Sequence, residues 1–110
     1  MNFIINGEIW KIFLISPFDF KLKRLDGQYT LGVCDNNKKI IYIADNLSEY
    51  YLKKVISHEL THAIMFSYNI FLNNYDEELF ADLIATYGQL ILDLTESIIL
   101  QLKKQIREFI

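Results

Sequence analysis

The two histidines of the chain constrain its structure more than any other residues do. They enclose a glutamate in the string His58-Glu59-Leu60-Thr61-His62, which has the H-E-x-x-H pattern. A hydrophobic periodicity typical of a helix runs through this string, and residues four apart lie on the same face of a helix. Two imidazoles placed in this way can bind one zinc ion, with the glutamate beside the open position of the metal. The alternative is an amphipathic helix with two surface histidines.

Length and composition predict one folded domain that spans residues 1–110. The chain is 52% hydrophobic and 23% charged, which favours a hydrophobic core. Its net charge of −3 argues against nucleic acid as a partner, and its single cysteine, Cys34, cannot form an intramolecular disulfide. The N-terminal apolar segment is interrupted by Asn6, Gly7, Glu8 and Lys11, unlike a signal peptide, and no apolar run approaches the length of a membrane span. We therefore expect a soluble, cytoplasmic protein with no membrane partner.

The first part of the chain predicts a small sheet with one short helix. Runs of bulky and β-branched residues favour strands, and a serine followed by a proline is typical of a helix start. Turn residues at 35–38 separate two of the runs, which favours a hairpin. In order, the predicted elements are a strand at 8–15, a helix from Ser16-Pro17 to Asp26-Gly27, and strands at 28–34 and 39–44.

The second part of the chain predicts helices. Capping residues at 45–48 precede an apolar face that runs at helical spacing to about Tyr68. After a loop, a new helix begins near Asp76 and has a weak point at Gly88. A last amphipathic stretch runs from Leu94 to Ile110. We expect this stretch to cover the core; the alternative is that it lies near the cleft and restrains activity.

A catalytic zinc site usually has three protein ligands and one water, so the histidine pair needs one more ligand. Glu78 is the strongest candidate, because it opens a helix after a loop and can face the histidines across a helix pair. Asp82 follows on the same face and can accept the second N–H of a ligating histidine. Glu77 is the alternative ligand, although it lacks such a residue at i+4. Cys34 lies on a predicted strand and is more typical of a buried thiol.

Two strings of the chain resemble a known group of proteins. HELTH at 58–62, followed by ELFAD at 78–82, resembles the gluzincin pattern H-E-x-x-H … E-x-x-x-D of thermolysin-like metallopeptidases. The short length is similar to that of the minigluzincins, which are single-domain versions of the fold. Residues 78–85, with Ala81, Ile84 and Ala85, also resemble the glutamate helix of the ImmA/IrrE-type peptidases. The resemblance covers roughly residues 8–90.

The resemblance implies an α+β, zincin-like fold, with a short three-stranded sheet packed on an active-site helix and a glutamate helix, and with a further C-terminal helix. It implies a zinc metalloendopeptidase, active or latent, that hydrolyses peptide bonds through a metal-activated water. The Zn²⁺ ion is then held by His58, His62 and Glu78, and Asp82 orients a histidine. Glu59 is the general base that takes the proton of the water.

For two further features of such an enzyme, the sequence offers candidates that each have an alternative interpretation. The tetrahedral oxyanion needs a hydrogen-bond donor, and thermolysin-like enzymes use a tyrosine and a histidine there. No spare histidine exists, so Tyr68 and Tyr75, between the ligand helices, are the candidates; the alternative is that they only pack. A peptide or protein substrate can add as a strand to a sheet edge, and Lys39–Ala44 is the candidate edge unless it is an internal strand.

Two other functions compete with catalysis. One is a non-catalytic or latent zincin-like module that binds a partner protein, which the missing oxyanion histidine favours. The other is a helical interaction protein in which the motif arose by chance. Peptide hydrolysis and a metal assay distinguish these functions.

Overall fold

The computed structural model describes residues 1–108, apart from the side chains of residues 94, 95, 103 and 105–108. The last two residues of the predicted C-terminal stretch, Phe109 and Ile110, lie outside the described residues. Four strands precede two helices: β1 is Asn2–Ile5, β2 Glu8–Ile15, β3 Gly32–Asp35, β4 Ile40–Ala44, α1 Glu49–Ser67 and α2 Asn74–Glu108.

The four strands form one sheet in the order β1-β2-β4-β3. Strand β2 pairs in parallel with β4, while β1 with β2 and β3 with β4 are antiparallel pairs. The predicted hairpin of the strands at 28–34 and 39–44 is confirmed as β3 and β4. Strand β4 lies inside the sheet, so the prediction that Lys39–Ala44 forms an edge is wrong. The edge next to α1 is β3.

Strand β1 is an addition to the predicted three-stranded sheet. It forms a hairpin with β2 through Asn6 and Gly7, which have φ angles of 50° and 77°. These positive angles are those of a type I′ turn, which Asn-Gly favours. The Asn6 side chain also donates a 3.0 Å hydrogen bond to the carbonyl of Ser67, which ties this hairpin to the end of α1.

Residues 16–25 differ from the predicted helix, since they contain one 3₁₀ turn, Phe20–Leu22. Ser16 Oγ accepts the backbone N–H of Phe18, and Asp19 Oδ1 accepts that of Lys21. Such local side-chain bonds compete with a regular helix. Leu22 is fully buried and attaches the turn to the sheet.

Helix α1 packs on the sheet and ends at a defined signal. Its partly buried side chains contact a core that includes Trp10, Ile41 and Ile43. After α1, Asn69 has a φ of 57°, and the N–H of Ile70 donates to the carbonyl of Met65 at 2.8 Å. This is the Schellman arrangement that ends helices at a left-handed residue.

Helix α2 is a single helix of 35 residues, in which the predicted glutamate helix and C-terminal helix are continuous. The α+β class is confirmed, with this difference and the fourth strand. Described side chains at 89–93 and 96–102 are exposed, so this stretch does not cover the core as expected. In the part of the chain that the structure describes, cleft-lining residues on α2 end at Ala85, and the stretch does not lie across the cleft.

Helix α2 projects from the rest of the molecule. The protein measures 62 × 31 × 29 Å, and a 35-residue helix is about 52 Å long. The helix is long and apolar enough between Asn74 and Leu102 to cross a membrane by length and composition, and its most apolar window is not buried. This differs from the expectation that no apolar run approaches the length of a membrane span, and the absence of a membrane partner stays a prediction.

Candidate metal centre

Helix α1 brings its two histidines together on one face. Their Nε2 atoms lie 3.2 Å apart, and both rings are largely buried. Ser48 begins the helix by accepting the backbone N–H of Tyr51. The predicted helical placement of the H-E-x-x-H string is thus present, and it leaves two ring nitrogens facing one point.

Helix α2 places Glu78 opposite that point. Its Oε1 atom lies 2.9 Å from His62 Nε2, and its Oε2 atom lies 3.2 Å from His58 Nε2. Ligand atoms about 2.0–2.1 Å from a tetrahedral zinc ion lie about 3.3 Å from one another. The three side chains therefore have the donor types and the spacing that fit a zinc ion, and they form a possible metal-binding cluster.

Two more acids of α2 contact the far nitrogens of the imidazoles. Asp82 Oδ1 lies 3.0 Å from His58 Nδ1, and Glu77 Oε1 lies 3.1 Å from His62 Nδ1. When Nδ1–H donates to a carboxylate, the lone pair of Nε2 is directed at the metal position. Asp82 therefore lies where the sequence placed it, beside a histidine. Glu77, the alternative ligand, lies beside the other histidine instead of among the three converging atoms.

Glu59 lies beside this cluster and is buried, with 7% of its surface exposed. Burial raises the pKa of Glu59 above its ordinary value, and Glu78 adds to the rise, while the two histidines oppose it. The strand β3 approaches Glu59 closely at Gly32. A Cβ atom at Gly32 would lie 2.8 Å from Val55 Cγ1 and 3.0 Å from Glu59 Cγ, so only glycine allows this approach.

The metal-binding cluster lies between two cavities of about 430 and 470 Å³ that together form the cleft. Both cavities are lined by His58, Glu59 and Glu78, and also by Gly32 of the edge strand. Arg24 lines both cavities too, and it has no ion pair among the described residues. Sequence reasoning missed Arg24, because nothing in the local pattern shows that the loop before β3 reaches the cleft.

Cys34 also lines the cleft, on the side of β3. Its Sγ atom donates to Asn36 Oδ1 at 3.3 Å. Burial raises the pKa of Cys34 to about 12, and Glu59 adds to the rise. Cys34 is therefore a neutral thiol outside the three converging side chains, as expected from the sequence.

The two tyrosines considered as oxyanion donors lie away from the cavities. Tyr68 follows the end of α1 and is 53% exposed, and Tyr75 in the first turn of α2 is 77% exposed. Neither lines the cleft in the described part of the chain. The neighbouring Asp76 is bonded to Asn73, whose side chain accepts the N–H of Asp76 at 2.8 Å, and it stays outside the metal-binding cluster.

Comparison with known families agrees with this geometry. The sequence profile of the IrrE N-terminal-like domain, Peptidase_M78, matches residues 14–99. The chain belongs to the Peptidase_M78 family. This confirms the resemblance to ImmA/IrrE-type peptidases. Neither the curated proteins nor the solved structures include a significant match to the chain.

A Peptidase_M78 domain is metallopeptidase-like, and the metal-binding cluster of α1 and α2 fits that description. The structure brings together five residues that the sequence singled out: the histidine pair, Glu59, Glu78 and Asp82. The sequence also contained a signal for Glu77. Each ligating imidazole needs an acceptor for its second N–H, so two histidines required two such acceptors, and three acids begin α2.

Proposed function

We propose that this Peptidase_M78 domain is a zinc-dependent endopeptidase of the gluzincin type. The observation that carries the proposal is the convergence of His58 Nε2, His62 Nε2 and the two carboxylate oxygens of Glu78 at 2.9–3.2 Å, beside the buried Glu59. Two histidines and one glutamate are the ligand set of many catalytic zinc sites with an open fourth position. Bound zinc would supply a water of lowered pKa and would polarise the substrate carbonyl.

The residues of this chain then have separate tasks. Glu77 and Asp82 orient the two imidazoles through their Nδ1 atoms. Glu59 is not among the converging ligand atoms, so it is free to accept a proton from the attacking water and to pass it to the leaving amine. Burial, which raises the pKa of Glu59, increases its affinity for that proton.

The substrate of this proposal is an extended peptide. Gly32, Val33 and Cys34 of the edge strand β3 line the same cavity as the histidines. An extended chain can pair with such an edge through main-chain hydrogen bonds, which places a peptide bond next to the metal-binding cluster. This assigns to β3 the substrate-binding edge that the sequence assigned to Lys39–Ala44.

Arg24 is the candidate for stabilising negative charge on the substrate oxygen. It is a permanent cation that lines both cavities, whereas Tyr68 and Tyr75 lie outside them. Removing one such donor typically lowers kcat by about 10²–10³-fold. Arg24→Ala should therefore lower peptide hydrolysis strongly at unchanged zinc content, while Lys38→Ala, an exposed lysine in the β3–β4 turn, should leave it unchanged.

Zinc content and peptide hydrolysis, measured on the same purified protein, test the proposed function. The wild-type chain should hold one zinc ion and cleave members of a peptide library, and His58→Ala and Glu78→Ala should each lose stoichiometric zinc together with activity. A zinc-loaded wild type without hydrolysis of any peptide would favour the non-catalytic module that binds a partner protein. A Glu78→Ala protein that keeps one zinc ion would contradict the ligand set.

A further inference from the structure

A groove separates the first half of α1 from the middle of α2, and it adjoins the cleft at Lys54 and Ala85, which line both. It has a volume of about 520 Å³. Its floor on α2 is mainly apolar, and two lysines of α1 lie on its other side. Neither lysine forms an ion pair with a described residue. Among the groove-lining residues are Lys53, Lys54, Ile84, Gly88 and Leu92.

The groove-lining face of α2 continues beyond the groove. Leu92, Glu96 and Ile99 follow one another at i, i+4 and i+7, so they lie on one face of the helix. Helix α1 begins only at Glu49 and does not extend along this part of α2. Leu92 is 60% exposed and Ile99 44% exposed. Glu96 has no ion pair with a described residue.

The chain exposes more surface than a compact monomer of its mass. Its accessible surface is 8427 Å², whereas about 6,300 Å² is expected for a folded monomer of 13.0 kDa. The excess of about 2,100 Å² exceeds the approximately 800 Å² that each partner buries in a standard interface. The chain as a whole thus leaves more surface uncovered than a standard interface needs.

We propose that a second copy of this chain covers this face through a twofold, antiparallel pairing of the two α2 helices. Each copy would insert its segment 92–102 into the groove of the other. The groove follows residues 84–92 of α2, which span about 12 Å, and the inserted segment spans about 15 Å. The two lengths are therefore similar, and the twofold axis lies near Leu92, where the groove ends and the inserted segment begins.

Charge and polarity favour a second copy of the chain as the occupant of the groove. In the antiparallel arrangement, the Glu96 of one copy lies opposite residues 84–88 of the other and therefore next to Lys53 and Lys54, which border that part of α2. Ile99 meets the apolar floor of the groove. The two lysines and the glutamate, none of which has an ion pair with a described residue, are thus complementary under one twofold axis.

Sedimentation equilibrium of the full chain tests the pairing. The wild type should sediment as a dimer of 26.0 kDa, twice the chain mass of 13.0 kDa. Ile99→Ser should raise the dimer Kd about 30-fold or more, because the twofold axis removes the contact twice. The matched control is Leu25→Ser, since Leu25 is fully exposed in the loop before β3 and should leave the Kd unchanged.

A charge exchange tests the orientation of the pair. Glu96→Lys should raise the dimer Kd about tenfold or more, and combining it with Lys53→Glu and Lys54→Glu should restore most of the affinity. Asp45→Lys, an exposed acid at the end of β4, controls for the change in net charge.

Three outcomes would overturn the proposal. One is a wild type that is monomeric at every concentration. Another is a charge exchange that fails to restore affinity. The third is a chain that stays monomeric in detergent and binds neutral phospholipid vesicles through this face, since α2 is also long and apolar enough to span a membrane. None of these outcomes depends on zinc or on peptidase activity.

Discussion

The two ends of α2 are built from similar residues and lie in different surroundings. In residues 74–85, Glu77, Glu78 and Asp82 each contact a histidine of α1 at 2.9–3.2 Å, and Ala81 is fully buried. In residues 86–108, the Asp93 side chain accepts a bond from Gln89 on its own helix and has no other bond with a described residue, and the described apolar side chains from Leu90 to Leu102 are exposed.

The contrast shows that the neighbouring elements, and not the helix itself, determine which side chains a carboxylate of α2 contacts. Both ends carry carboxylates and apolar residues at helical spacing, and one continuous backbone carries them. Among the described residues, only the first end lies against the histidines of α1, so only there do the carboxylates meet imidazoles. Substitutions in residues 74–85 should therefore affect zinc and catalysis, and those in residues 86–108 should not.

The largest expected effect is on catalysis, at Glu59 of α1, which lies beside Glu78 of the first end of α2. Glu59→Gln should keep its zinc and lower kcat for peptide hydrolysis by about 10²–10⁴-fold, since it removes a general base and not a ligand. Stopped assays on a cleavable peptide, together with metal analysis, measure both. Glu49→Gln, an exposed residue in the first turn of the same helix, should change neither. Hydrolysis by Glu59→Gln at the wild-type rate would refute this mechanism.

The next effect compares acids at the two ends of α2 directly. Glu77→Ala and Asp82→Ala should each lower zinc affinity or activity by about 10–100-fold, because each leaves one imidazole without its acceptor. Asp93→Ala, at the other end, should leave zinc affinity unchanged. Competition with a chromophoric chelator measures the three affinities. If Glu77→Ala lost zinc entirely while Glu78→Ala kept it, the two glutamates would exchange roles.

Adding one methyl group at each of two glycines should change stability with opposite signs. Gly32→Ala should lower the free energy of unfolding by about 1–3 kcal/mol, because its Cβ would lie 2.8 Å from Val55 Cγ1. Gly88→Ala should raise it by about 0.5–1 kcal/mol, since its Cβ would meet only Ile84 at 3.6 Å and alanine favours a helix. Urea unfolding of both variants measures the two changes in the free energy of unfolding. Changes of the same sign would contradict this distinction between the two glycine positions.

A further effect of about the same size concerns the Cys34 thiol of the cleft. The pKa of Cys34 is about 12 in the folded chain against 9.0 for an ordinary thiol, so the folded state holds this proton more tightly. Stability from this residue is present below pH 9 and is lost as the pH rises towards 12. At pH 10 the loss should be about 1 kcal/mol relative to pH 8. The free energy of unfolding of Cys34→Ala, measured in urea, should fall less between pH 8 and pH 10 than that of the wild type. An equal fall in both proteins would mean that the thiol does not contribute.

The sequence by itself determined the elements with strong local signals. The H-E-x-x-H string fixed two imidazoles on one helical face, because a four-residue spacing on a helix allows no other arrangement. The E-x-x-x-D spacing put Glu78 and Asp82 on one face of the next helix in the same way. The Asn-Gly pair is also a local signal for the β1–β2 hairpin, although the predicted sheet, in which it only interrupts an apolar run, does not include β1.

Only the tertiary structure decided which strand is the edge, which acid meets which imidazole, and whether the end of α2 is covered. Each depends on contacts between residues far apart in the chain, such as Gly32 with Glu59 or Glu77 with His62. Periodicity shows which face of an element is apolar or acidic, but it does not show what lies opposite that face. For this reason the sequence identified the three proposed zinc ligands, whereas Arg24 and the uncovered face of α2 emerged only when the helices and the sheet were packed together.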